Sequence, residues 1–144
     1  MKRAYLLDTS IVIAIMRGGE LANRIEAKYQ ISGAGFRPYI CVVTLGELYS
    51  MALRNKWGEK KQALLRKIEQ ELIVLDIHRD DVLNAYASLQ HYAQQNGAAI
   101  SHNDLWIAAT TSVFGAHLLT TDKDFLCFTP HHFHYTCIDP KQSS

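Results

Sequence analysis

A dominant charge of one sign is missing from this sequence: 15 Lys and Arg stand against 14 Asp and Glu, for a formal net charge of +1. No basic arm or acidic tail follows from that balance, so any anion binding must rest on local patches. Cysteine is scarce too. The three, Cys41, Cys127 and Cys137, are odd in number, far apart and form no C-x-x-C pair. They argue against a disulfide framework and fit reduced core thiols of a cytoplasmic protein. No run reaches the roughly 18 apolar residues of a membrane span, so no membrane partner is expected. The opening MKRAYLLDTSIVIAIM sets basic residues before apolar ones, as a secretory leader does. Asp8 divides that apolar run, however, and no small-x-small cleavage pattern follows, so the chain reads as mature and soluble. Internal repeats, low-complexity tracts and linker composition are absent as well. The nearest thing to a loop signal is GAGFRP, and DPKQSS reads as a frayed tail.

What the sequence does contain is enough for one folded unit over residues 1–144, because 48% of its residues are hydrophobic and a chain of this length buries a sizeable core. Short apolar runs rich in β-branched and aromatic residues recur at AYLL, YICVV, LIVLDI, HLLTT and FHYTCI, and each reads as a strand. Longer segments with helical spacing lie between them: GELANRIEAKYQ, TLGELYSMALRNKWGEKKQALLRKIEQE, DDVLNAYASLQHYAQQNG and NDLWIAATTSVFG. Val82, Tyr86, Leu89 and Ala93 share one face of the third, with Gly97 placed to end it. Gly115 ends the fourth in the same way, and Gly58 splits the second. Alternating strands and helices predict an α/β domain: a three-layer α/β/α sandwich around a mostly parallel sheet of about five strands.

Several acids fall where a strand runs out or a helix begins, the edge at which open α/β sheets hold their ligands. Asp8 follows the first strand, and Glu47 lies in VVTLGEL after the second. Asp104 lies in SHNDLWIAA at a helix start, and Asp122 and Asp124 lie in LLTTDKDF after the fourth strand. Each has an ordinary explanation when taken singly. Thr44-x-x-Glu47 and Ser101-x-x-Asp104 fit capping boxes, Asp8 beside Thr9 and Ser10 fits a helix cap, and TTDKDF fits a polar turn.

Convergence of these acids is harder to explain as capping. Carboxylates within about 4–6 Å of one another repel and raise each other's pKa, so collecting four of them gains a fold nothing. A divalent cation reverses the sign. An all-oxygen donor set without Cys or His points to Mg²⁺ or Mn²⁺ rather than zinc. Such a site orients and ionises a water for in-line attack while neutralising phosphate charge, which is metal-assisted phosphodiester hydrolysis.

The order LLDTS, VVTLGEL, NDLWIAA and LLTTDKDF, from Tyr5 to Phe125, closely resembles the PIN-domain ribonucleases, in particular the VapC-type toxins of toxin–antitoxin pairs. The resemblance implies an α/β/α sandwich, dependence on Mg²⁺ or Mn²⁺, and endonucleolytic cleavage of RNA leaving a 5′ phosphate. It further implies a homodimer neutralised by a cognate antitoxin protein. Position by position, it assigns catalysis and metal binding to Asp8, Glu47, Asp104 and Asp122, with Asp124 as an additional ligand or a partner of the ligands. Thr9 and Ser10 would hold Asp8 or a phosphate oxygen, or act as helix caps. GAGFRP and CFTPHHFHY match no family motif.

Rival readings fit less well. His131, His132 and His134 cluster near the last strand, with His132 and His134 on one face by the period of two, but no Cys or acid lies at zinc-site spacing and edge-strand histidines are expected. His102 sits beside the acids as a loop residue. Arg17, Arg54, Lys56 and Lys123 are available to RNA phosphates, with plain solvated residues as the alternative. Trp106, Tyr86 and Tyr92 read as core or dimer contacts. A haloacid-dehalogenase-like phosphatase needs D-x-D after strand one, where Ser10 stands. A receiver domain needs its Asp after strand three, where Asp76 falls inside the run LIVLDI. A non-catalytic PIN-like module that binds RNA or protein remains the alternative from a different class, and retention of four mutually repelling acids argues against it.

Overall fold

The computed structural model describes residues 3–33 and 37–141; positions 34–36 of the GAGFRP loop and 142–144 of the tail lie outside the described residues. All five apolar runs form strands: β1 Tyr5–Leu7, β2 Tyr39–Cys41, β3 Ile73–Leu75, β4 His117–Thr120 and β5 His134–Cys137. They make one sheet in the order β3-β2-β1-β4-β5, and every pairing is parallel. The sheet is thus wholly rather than mostly parallel, as expected where every strand returns through a crossover.

Alternation by two sends neighbouring residues of the central strands into different cores. Leu6, Cys41 and Leu118 pack on one side of the sheet, and Leu7, Ile40 and Leu119 on the other. All six are fully buried. Helices α1 Thr9–Arg17, α2 Gly19–Tyr29, α3 Val42–Arg54 and α4 Glu59–Gln70 follow β1 and β2, whereas α5 Asp80–Gln95 and α6 His102–Phe114 join β3 to β4. Val82, Leu89 and Ala93 of α5 and Leu105, Ile107 and Ala108 of α6 cover the first side. Ile11 and Val12 of α1, Ile25 of α2, Leu48 of α3 and Leu65 and Ile68 of α4 cover the second. This is the three-layer arrangement, with a dry core on each face of the sheet. Each buried Leu or Ile contributes about 1.5–3 kcal/mol of transfer free energy.

Helix stops follow the glycines. Gly97 and Gly115 both take positive φ, 68° and 61°, and the Gly115 backbone N–H turns back onto α6. Gly58 caps the start of α4 and separates it from α3.

Two local expectations change, in YICVV and at Asp76, and the apolar run after Asp8, which carried no assignment, is a helix. The run IVIAIM is most of α1, in spite of its β-branched residues, because burial of Ile11, Val12, Ala14 and Met16 outweighs their modest helix propensity. In YICVV the strand stops at Cys41, and Val42 and Val43 already belong to α3. Glu47 therefore lies in the second turn of α3 and Thr44 inside the helix, so the pair is not a capping box. Asp76 follows β3 instead of lying in it, and its carboxylate accepts from the His78 backbone N–H at 3.1 Å. Among the described residues no helix is long and apolar enough to cross a membrane. The three cysteines are free thiols; Cys41 is buried, and Cys127 and Cys137 are half-buried.

Candidate active site

Strand order decides where the acids meet. From β1 the chain proceeds to β2 and β3 in one direction across the sheet and to β4 and β5 in the other, so the reversal lies between β1 and β4. At such a reversal the flanking crossovers lie on opposite faces and leave a crevice beyond the carboxyl ends of the strands. Asp8 stands at the end of β1, where its N–H donates to Leu119 O of β4 at 2.9 Å.

Asp8 is 2% exposed. Ser10 Oγ and Thr120 Oγ1 both donate to its Oδ2, at 2.9 and 2.7 Å. Those hydroxyls are themselves fixed by the loop after β4: the Thr121 N–H donates to Ser10 Oγ at 3.0 Å, and the Asp122 N–H donates to Thr120 Oγ1 at 3.0 Å. Burial raises the Asp8 pKa, the two hydroxyls oppose the rise, and the charge of Glu47 adds to it. Asp8 is also the N-cap residue of α1, but its side chain makes no capping hydrogen bond. The cap explanation therefore leaves its carboxylate unaccounted for.

Glu47 reaches the same region from α3. The Thr9 hydroxyl donates to its Oε1 at 2.6 Å and lies 3.1 Å from Thr44 Oγ1, which is fully buried. Ser10 holds Asp8 as expected, whereas the Thr9 hydroxyl binds Glu47 and not Asp8. Asp104 lies in the first turn of α6, where its N–H donates to the capping Ser101 Oγ at 3.1 Å. The cap is real here, and Ser101 also hydrogen-bonds the Asp104 side chain, which opposes the rise in its pKa. Burial, then repulsion from Asp8, with Asp124 adding to both, pushes the Asp104 carboxyl up to about 7. Asp122, the N-cap of a short 3-10 turn over Lys123–Phe125, is raised by burial and by the charges of Asp8 and Asp124.

Asp8 therefore interacts electrostatically with Glu47, Asp104 and Asp122, and Asp124 with the last two. None of the five pairs with a Lys, Arg or His among the described residues. Their donor set is oxygen alone, the chemistry Mg²⁺ and Mn²⁺ take. Among the described residues no three Asp, Glu, His or Cys side chains stand in an arrangement that holds one ion as placed. Like charges without a countercharge favour separation, and a cation among them would reverse the sign.

The other polar candidates lie apart from this cluster or at its margin. His102 is the first residue of α6, and its Nδ1 is 2.6 Å from the Tyr86 hydroxyl. Tyr86 stacks on Trp106 with ring centroids 4.0 Å apart. Tyr86, Tyr92 and Trp106 all pack against the α5–α6 core. His132 lies in a turn rather than a strand, so the period of two does not apply to it; its Nδ1 accepts from the Thr129 N–H at 3.0 Å and its ring packs on Tyr92 and Phe128. His131 and His134 are exposed, His134 at the start of edge strand β5. Thr120 was not singled out by sequence, since nothing local distinguishes it from Thr121. Only the register of β4 on β1 places its hydroxyl against Asp8.

The chain has relatives among known proteins. Ribonuclease VapC5 of Mycobacterium tuberculosis is 29% identical over 126 residues, covering 85% of each chain. Among solved structures, VapBC-5 of the same organism, a member of the VapBC family of toxin-antitoxin systems, superposes with a TM-score of 0.67 at 26% identity, covering 94% of this chain and 98% of the other. VapBC2 of Rickettsia felis, bound to a DNA fragment from its promoter, superposes with a TM-score of 0.77 at 22% identity, covering 93% and 98%. The family profile of the PIN domain matches residues 5–127, a span that begins with β1 and takes in all five acids, and on that match the chain belongs to the PIN domain family.

Proposed function

We propose that this chain is a divalent-metal-dependent endoribonuclease and the toxin of a toxin–antitoxin pair. The observation that carries the reading is that Asp8, at the β1/β4 reversal, feels the charges of Glu47, Asp104 and Asp122 with no cationic partner for any of them among the described residues. Relatives named as a ribonuclease and as VapBC toxin-antitoxin structures support RNA as substrate and a cognate antitoxin as partner. A homodimer and a cytoplasmic location belong to the same proposal.

Asp8, Glu47, Asp104 and Asp122 would hold the ion, with Asp124 as a further ligand. Mg²⁺ or Mn²⁺, when bound, supplies an ionised water and neutralises charge on the phosphate undergoing attack. The chain itself contributes position. Ser10 and Thr120 aim one oxygen of Asp8, and Thr9 fixes one oxygen of Glu47, so two of the carboxylates would be held in direction before an ion draws the others in. No side-chain nucleophile is needed, because water attacks the phosphorus directly.

The test is cleavage of a mixed pool of structured and unstructured RNA by the purified chain, with Mn²⁺, with EDTA, and with Glu47→Gln in parallel. Cuts that need Mn²⁺ and vanish in Glu47→Gln are expected. A folded protein that binds RNA and never cuts it, with Mn²⁺ present, overturns the reading in favour of a non-catalytic binding module.

A further inference from the structure

Glu47 belongs to a second structural feature. It lines a pocket of about 430 Å³ together with Val43, Gly46, Ser50, Met51 and Arg54 of α3 and Asn103 of α6. That volume lies at the low end of small-ligand clefts, about 300–1,000 Å³, on the scale of one nucleotide. The α3 residues follow a helical face, so the pocket runs along the helix from Glu47 to Arg54, two turns or about 10 Å. One end is acidic and continuous with the carboxylate cluster. The other end is cationic.

Two observations show that the pocket, whose Gly46, Ser50, Arg54 and Asn103 are exposed to solvent, is open to a ligand. First, Arg54, Ser50 and Asn103 make no side-chain hydrogen bond or ion pair among the described residues. Arg37, by contrast, spends its guanidinium on the carbonyls of Gln70 and Leu72, both at 2.9 Å. Second, Gly46 sits inside α3 without positive φ, and a Cβ built there meets no atom within 4 Å. Neither backbone conformation nor close packing asks for glycine at this position, and glycine inside a helix is unfavourable relative to alanine. What glycine does at this position is keep the floor of the pocket open beside Glu47.

We propose that this pocket is a nucleotide subsite, which receives the nucleoside next to the phosphate held at the acid cluster and sets the following phosphate against Arg54. This rests on the ribonuclease reading above. Ser50 and Asn103 supply hydroxyl and amide groups for sugar or base edges, Val43 and Met51 supply apolar contact, and the charge gradient along the pocket orients the strand. Arg54 also lies in the last turn of α3, where a cation complements the helix dipole. A purely structural role of that kind is separable by the salt dependence of RNA binding.

The experiment measures binding of a fluorescein-labelled pool of random single-stranded RNA to the wild-type chain across a potassium chloride series, with Ca²⁺ in place of Mn²⁺ to fill the acid cluster, and with Arg54→Gln, Asn103→Ala and Gly46→Leu beside it. Each phosphate contact contributes about 0.7 to the slope of log affinity against log salt for single strands. Arg54→Gln is expected to lower that slope by about 0.7 and to weaken binding about tenfold. Gly46→Leu is expected to weaken binding by a similar factor with the slope unchanged and the melting temperature not reduced. Affinity and slope in Arg54→Gln equal to the parent overturn the subsite, as does the absence of measurable RNA binding by the parent. If the wild-type chain binds RNA with these variant effects but does not cut it with Mn²⁺, the ribonuclease reading fails and the subsite stands.

Discussion

The Thr120 hydroxyl donates a 2.7 Å hydrogen bond to Oδ2 of Asp8, across a sequence separation of 112 residues. Both partners are buried, and Thr120 in turn accepts from the Asp122 N–H. A carboxylate taken out of water depends on such donors to stay charged. Thr120→Val keeps the shape and removes the donor. It is expected to destabilise the chain by about 1–3 kcal/mol, read from urea unfolding, because Asp8 loses a partner in a buried setting. Metal-dependent cleavage should also need a higher pH than in the parent, since Asp8 then holds its proton more tightly. Unchanged stability and an unchanged pH profile would show that Ser10 alone suffices.

Asp104 carries the largest electrostatic burden of the acids. Its folded-state pKa of about 7 lies above the ordinary aspartate value of 3.8. Between those values the folded chain binds a proton that the unfolded chain has released. Stability in the absence of metal therefore declines as pH rises through that window and is lowest above pH 7. Asp104→Asn removes the ionisation. It should raise the melting temperature at pH 8 and change it little at pH 4, while abolishing cleavage. A variant less stable than the parent at pH 8 would contradict this account.

Metal and fold are linked through the same acids. A cation that binds the folded carboxylates and not the unfolded chain stabilises by mass action, about 2.7 kcal/mol at a concentration one hundred times its dissociation constant. Differential scanning fluorimetry with Mn²⁺ should show a concentration-dependent upward shift for the parent and a much smaller one for Asp8→Asn. Equal shifts in both proteins would place the ion elsewhere.

Gly46→Ala separates the cost of an open pocket floor from the rest of α3. With φ outside the left-handed region and no atom near a new Cβ, alanine is expected to stabilise the chain by about 0.5–1 kcal/mol in urea unfolding. A loss of stability would reveal a packing role for glycine that the structure does not contain.

Much of this molecule is legible without coordinates, and the parts that are not share a cause. The five strands were readable because parallel strands between two layers of helices appear as continuous apolar runs; Gly97 and Gly115 ended helices where a positive φ favours glycine, and Gly58 divided α3 from α4 as an N-cap. YICVV misled because a strand and the start of a helix can share one apolar run, and only burial of the flanking elements decides where the chain turns. IVIAIM is helical for the same reason. The acids Asp8, Glu47, Asp104, Asp122 and Asp124 stood out by their position at element ends, whereas the hydroxyls that aim them did not. Ser10 and Thr9 were noticed only as neighbours of Asp8, and their division between Asp8 and Glu47 depends on how α1 crosses α3.

By itself the sequence determined the class of the fold, the number of strands and the nearness of Asp8, Asp104 and Asp122 to element ends, because those follow from apolar periodicity, from glycine and from residue chemistry along a local stretch of chain. The tertiary structure decided the strand order β3-β2-β1-β4-β5, and with it the β1/β4 crevice in which residues from the two halves of the chain meet. It also decided that Thr120 rather than Thr121 holds Asp8, and that Arg54 shares a pocket with Glu47. These are relationships between segments brought together by the burial of two cores. No local pattern encodes them, because the free energy that selects them is that of packing the whole sheet between its two layers of helices.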